Sequence, residues 1–243
     1  MYLNEFTGRG VRIAVIDSGV HATHPHIVPS PGSYSGGISG GIAIRDDGSL
    51  DENYVDRLGH GTAVTAAIRE KAPDAEIFVI KVFWSSLATD VATLVRAIDE
   101  ASVHGAAVIN LSLGTAETPH AGDLAAAVAR ATHRGAFIVA ALEDEGVKWL
   151  PGSLDGVAPV QLDWACARDA YRIVHADGRA VIAASGYPRD IPGVTRERNL
   201  KGISFAVANA SGFVARALEV AAGASVASVF GTLEAAAGDQ TPG

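Results

Sequence analysis

Four short apolar runs, at 11–16, 76–82, 106–111 and 136–141, alternate with stretches in which alanine, valine and leucine recur at helical spacing. The runs are too short for helices and apolar on both sides, so they read as strands buried on two faces. The stretches at about 60–70, 89–104 and 123–134 read as helices, with Gly105 and Gly135 standing where helix stops belong. A further helix is expected over 204–222. Alternation of this kind dictates an α/β fold: a mostly parallel central sheet with helices on both faces, and active residues in the crevice at the carboxyl ends of the strands.

With 243 residues and 48% hydrophobic content the chain can bury one sizeable core, and a single domain over 1–243 is expected. The Pro-, Ser- and Gly-rich stretch at 29–37 reads as a surface loop, and the tail from about 231 is expected to fray. Net charge is −8 and the Lys and Arg residues are scattered, which argues against nucleic acid as a partner. No stretch runs 18 uninterrupted apolar residues, so no membrane partner is expected either. Cys166 is the only cysteine, which rules out an intrachain disulfide and points to a reducing, cytoplasmic setting. Nothing in the chain sets an oligomeric state.

Three segments carry chemistry, in the order Asp, His, Ser: Asp17-Ser18-Gly19 at the end of the first strand, Gly59-His60-Gly61-Thr62 opening a helix, and Gly202-Ile203-Ser204-Phe205-Ala206 opening another. A serine hydroxyl is a poor nucleophile at neutral pH and needs an imidazole within hydrogen-bond reach. The imidazole in turn needs a carboxylate to fix its tautomer. Asp17, His60 and Ser204 supply one of each. The backbone N–H of Ser204, at the positive end of its helix, is suited to stabilise an oxyanion.

In these segments and in the chain between them, the sequence resembles the subtilisin-like serine peptidases. The likeness extends through Thr23-His24-Pro25, Val108-Ile109-Asn110-Leu111-Ser112-Leu113-Gly114 and Gly135-Ala136-Phe137-Ile138-Val139-Ala140-Ala141, and spans roughly 8–212. It implies a three-layer subtilisin-like fold and a serine endopeptidase acting on an extended peptide or protein substrate, of a specialised intracellular or processing type. Ser112, Leu113 and Gly114, with Ala140, Ala141 and Glu143, would line the substrate cleft. The backbone of the first three would pair with the peptide as an added strand. Ligation of the acyl group to an amine would use the same residues as hydrolysis, as water access to the acyl-enzyme decides between them.

The sequence departs from that family where subtilisins place an asparagine whose amide is the second oxyanion donor; here the residue is Asp144. An ionised carboxylate there would repel the oxyanion, and in subtilisin the loss of that donor costs about 10²–10³ in kcat. A protonated Asp144 would still donate, and a partly dry cleft beside Glu143 and Glu145 would favour the proton, giving a narrow, mildly acidic activity window. Aspartate also occupies this position in an active branch of the family, the prohormone convertases. The alternative is a weak or inactive pseudopeptidase that holds an extended peptide in the same cleft. The acidic run 143–145 would favour a basic side chain before the cut, with Lys148 or Trp149 placed to modify that pocket.

No cofactor is implied. Gly8-Arg9-Gly10 precedes its strand instead of following it, as a dinucleotide loop would not. His21, His24 and His26 fall in a segment that, as the resemblance implies, has a structural role after the acid, so no metal is expected there. Many subtilisins hold calcium in a loop interrupting the histidine-bearing helix, but only Arg69-Glu70-Lys71 separates Ile68 from Ala72 here. EDTA is therefore expected to leave the melting temperature unchanged, and a large drop in a thermal scan would show that a structural metal had been missed.

Overall fold

The computed structural model describes residues 3–28, 36–221 and 225–238. Its elements, in chain order, are β1 (Arg12–Asp17), β2 (Ile38–Ile44), β3 (Leu50–Asp51), α1 (His60–Lys71), β4 (Glu76–Lys81), α2 (Val91–Val103), β5 (Val108–Leu111) and α3 (Ala121–His133). There follow β6 (Phe137–Asp144), β7 (Val147–Lys148), β8 (Val157–Leu162), β9 (Tyr171–Ala176), β10 (Arg179–Ala184), α4 (Ile203–Val220) and α5 (Val226–Gly238). The strands form one sheet in the order β3-β2-β4-β1-β5-β6-β8-β10-β9, with β7 attached to β6. Strands β2 to β10 along that path run parallel, and β3, β7 and β9 pair antiparallel.

The apolar runs are continuous because both faces of the sheet are covered. In β1, Ile13 and Val15 join the core beneath α1 and α4, while Ala14 and Ile16 join the core beneath α2 and α3. Ile77 and Val79 against Phe78 and Ile80 repeat that alternation in β4. The mostly parallel three-layer arrangement expected from the alternating pattern is the one observed.

Alanine dominates α4 because this helix is enclosed by α1, the sheet and α5. Ala206, Ala208, Ala210, Ala215 and Ala217 are all fully buried. A side chain on Gly212 would overlap Lys71 of α1, so the two helices meet where one lacks a Cβ. By length and composition α4 would cross a membrane, yet 72% of it is buried inside the fold, as befits the central helix of a core.

Two expectations need correction. The tail does not fray from 231: α5 continues to Gly238, Leu233 and Ala236 are buried, and the Tyr171 hydroxyl donates to the Leu233 carbonyl at 2.8 Å. The small residues that look like a loose terminus are those that let a helix lie close against β9. Strands β8, β9 and β10 were not anticipated. The Asp177-Gly178 turn joining β9 to β10, with φ of 51° and 76°, is the signal that marks them. Most of the loop expected at 29–37 lies outside the described residues. Leu233→Ala should lower unfolding free energy by about 2–4 kcal/mol, as for other buried Leu truncations. A change below about 0.5 kcal/mol in urea denaturation would mean that α5 is not docked.

Candidate active site

Asp17 ends β1, fully buried, and His60 begins α1. The His60 ring nitrogen Nδ1 lies 2.9 and 3.0 Å from the two oxygens of the Asp17 carboxylate. A neutral imidazole held this way keeps its proton on Nδ1 and leaves Nε2 free to accept. The approach demands Gly61, since a Cβ there would overlap the Gly19 carbonyl oxygen. Ser18 ties the same corner together: its hydroxyl accepts from the Gly61 N–H at 2.8 Å and donates to Asp56 at 2.9 Å.

Asp56 is the residue that sequence reasoning missed. Its carboxylate accepts from the backbone N–H groups of Leu58, Gly59 and Thr62 and from the Thr62 hydroxyl, closing the open N-terminus of α1. The available signal was a carboxylate four residues ahead of a helix-opening histidine. Burial works to raise the Asp56 pKa, but the hydrogen bonds from Thr62, Gly59 and Leu58 outweigh it and hold the group below its ordinary value. Burial likewise works to lower the pKa of His60; the hydrogen bond and charge of Asp17, with the charge of Asp56, outweigh it and raise it.

Ser204 is the second residue of α4, so its N–H is among those with no partner within the helix. Its hydroxyl donates to the Ser112 carbonyl at 3.2 Å and makes no hydrogen bond to His60 among the described residues. The Ser112 hydroxyl donates back to the Ser204 carbonyl at 3.0 Å and accepts from the Asn110 amide at 3.0 Å, while Ser211 donates to the Asn110 oxygen at 3.0 Å. This buried chain, also unforeseen, fastens the start of α4 to the end of β5. His60, Ser204, Ser112, Leu113, Gly114, Ala141 and Trp149 line one cavity of about 240 Å³.

The family model for subtilases, peptidase S8, matches residues 8–163, a span that includes Asp17 and His60 and stops short of Ser204. This chain belongs to the subtilase family. Subtilisin Savinase of Lederbergia lenta is 31% identical over 214 residues, covering 84% of this chain and 71% of that protein. The alkaline protease of Alkalihalobacillus alcalophilus is also 31% identical over 214 residues, and there the match spans only half of the relative's length. Among solved structures, a cold-adapted subtilisin-like serine proteinase superposes with a TM-score of 0.69 at 20% identity, over 95% of this chain and 83% of that one, a likeness of fold. The prenylagaramide maturation protease PagA gives a TM-score of 0.59 at 26% identity, over 86% of this chain and 75% of that one.

Not every residue expected in the subtilase cleft reaches it. Ala140 points into the core beneath α2 and α3, and Glu143 and Asp144 line a neighbouring cavity with Trp164, Lys201 and Gly202. The pairing of β6 with β8 slips between Ala141 and Glu143, and β6 then turns back through Glu145-Gly146 (φ 50° and 81°) so that Asp144 pairs with Val147. A one-residue slip changes the face on which the following side chains emerge. The Asp144 pKa is raised, by burial and by the charge of Glu145. Asp144, expected as the second oxyanion donor, lines that neighbouring cavity and not the one that holds Ser204. The calcium loop does not fit either, since α1 runs unbroken to Lys71 and the Ala72 N–H closes onto the Ile68 carbonyl at 2.8 Å.

Asp56→Asn removes one of the charges that raise His60, so the imidazole should titrate at lower pH in the variant. NMR titration of the His60 ring should show that downward shift, and an unchanged or higher pKa would dissociate Asp56 from the histidine. Asp56→Ala, which removes the capping oxygens as well, should cost about 1–2 kcal/mol of stability.

Proposed function

We propose that this subtilase is a serine endopeptidase in which Ser204 is the nucleophile, His60 the general base and Asp17 the group that orients the base. The observation that carries this reading is the Asp17–His60 contact, made at the mouth of the cavity that also holds Ser204. On binding of a peptide, the Ser204 hydroxyl turns from the Ser112 carbonyl toward His60 Nε2. Its oxygen attacks the peptide carbonyl as the proton passes to Nε2. The oxyanion is received by the Ser204 N–H, helped by the α4 dipole. His60 then gives its proton to the departing amine, and a water activated by the same imidazole releases the acyl group from Ser204.

The acyl side of the substrate lies along Ser112, Leu113 and Gly114. The expectation of a basic residue before the cut is revised: Phe83, Leu87, Leu113, Ala141 and Trp149 make the walls of the cavity apolar, while the acidic run faces elsewhere. A small or medium apolar side chain fits that lining better. One observation favours the second reading, a peptide-binding relative without turnover: Ser204 rests on the Ser112 carbonyl while Asp144 stands outside the cavity.

Exposure of the wild type and Ser204→Ala to a serine-directed fluorophosphonate over about pH 5–9, with adducts located by peptide mass spectrometry, separates the two. Labelling at Ser204 alone, lost in Ser204→Ala and rising with pH through a midpoint above the ordinary histidine value, is the expected result. Folded wild type that takes no label at any pH would leave the peptide-binding reading.

A further inference from the structure

A second cavity, of about 570 Å³, abuts the start of α1 and the segment leading into α4. It shares no lining residue with the cavity of Ser204, although Gly59 lines one and His60 the other. On the acyl side, Leu113 and Gly114 continue into the large cleft between α2 and α3, so an extended peptide has its path there. Gly59 adjoins His60 and Leu200 precedes Ser204 by four residues, so this second cavity, which shares no lining residue with that cleft either, is open to the other half of such a peptide.

Its chemistry is specific. Leu58, Ile191 and Leu200 give it exposed apolar side chains, and beside them stand Arg57 and His21, also exposed, and the partly buried Arg189, His24 and His26. Arg57 has no ion-pair partner among the described residues, and the Arg189 guanidinium donates only to the His26 carbonyl, at 3.2 Å. The one acid in the lining, Asp56, is engaged by Ser18, Leu58, Gly59 and Thr62. Nearby Glu70 is paired with Lys71 and Arg168, and Asp190 with Arg168 and Arg196. His24 accepts the His26 N–H on Nδ1 at 3.2 Å, which places its own ring proton on Nε2 as a donor. Burial, then Arg189 and His24, lower the His26 pKa. Among the described residues the cavity thus sets two guanidinium groups without an ion-pair partner and ring N–H groups beside apolar side chains, against a single lining carboxylate, Asp56, whose oxygens are taken up by neutral donors.

We infer that this cavity is a carboxylate-recognising subsite for the half of the peptide that leaves as the amine, a reading that rests on the peptidase assignment above. The carboxylate belongs either to an acidic side chain shortly after the cut or to the C-terminus of a short peptide. The complementary ligand joins an apolar stem, for Leu58, Ile191 and Leu200, to a carboxylate for Arg57 and Arg189.

Imidazole NMR of the wild type tests the cavity without any reaction. Three probes differ only in charge placement: N-acetyl-Leu-Glu-amide carries the side-chain carboxylate, N-acetyl-Leu-Gln the terminal one, and N-acetyl-Leu-Gln-amide neither. Saturable shifts of the His24 and His26 signals are expected with one of the charged probes, at least about tenfold tighter than with the neutral one. The charged probe that binds identifies the source of the carboxylate. Arg57→Gln, at an exposed and unpaired position, should shrink the difference. Equal binding of all three, or no saturable shift with any, overturns the inference. Charge-blind probes with a labelled Ser204 would sink this subsite alone; charge-selective probes with an unlabelled Ser204 would sink the peptidase, and with it the leaving-half role, and leave a carboxylate-binding cavity.

Discussion

The rest of the site hangs on a buried carboxylate meeting an imidazole across two elements, Asp17 at the end of β1 and His60 at the start of α1. Burying Asp17 completely is costly unless its charge is answered, and it is answered by His60 and by the Ser18 N–H at 2.7 Å. That requirement fixes how closely α1 approaches the sheet, and only a glycine at 61 permits the approach. Asp56 then closes the helix end, and Ser18 bridges it to the Gly61 backbone. Asp17, His60 and the start of α1 form one hydrogen-bonded unit whose charge pattern also raises the pKa of the imidazole.

Ser204 is held from the other side. The Ser211–Asn110–Ser112 chain passes from the interior of α4 to the end of β5 and back to the first turn of α4, within a core otherwise almost wholly apolar. Buried polar groups of this kind, fully paired, specify one arrangement of two elements in a way that alanine and valine contacts do not. Packing of Phe205 on the His60 ring, with centroids 5.6 Å apart, joins the two halves. Two separately built corners thereby face each other across one small cavity, flanked by the cleft between α2 and α3 and by the cavity that Arg57 and Arg189 line.

Local pattern accounts for much of this. The positions of β1, β4, β5 and the helices α1 to α4 followed from apolar spacing and glycine stops, and the expectation for Asp17, His60, Ser204 and Ser112–Gly114 from motif order and likeness to the subtilases. Where sequence reading went astray, the deciding contact was distant along the chain. Leu233 counts as tail or core according to whether Tyr171 lies beneath it. Ala140 and Ala141 differ by one residue, yet only the second lines the cavity, because of where each strand face points.

Residue order and periodicity were enough to point to the layered α/β class, the family and the segments that carry Asp17, His60 and Ser204, because these depend on short-range spacing along strands and helices. The direction of the 143–145 carboxylates, the capping role of Asp56 and the gathering of Arg57, Arg189 and three histidines around one cavity came only from the folded chain. Each is set by a register slip, a turn or a crossing between segments far apart in sequence. Local spacing carries no record of which side such a crossing will present.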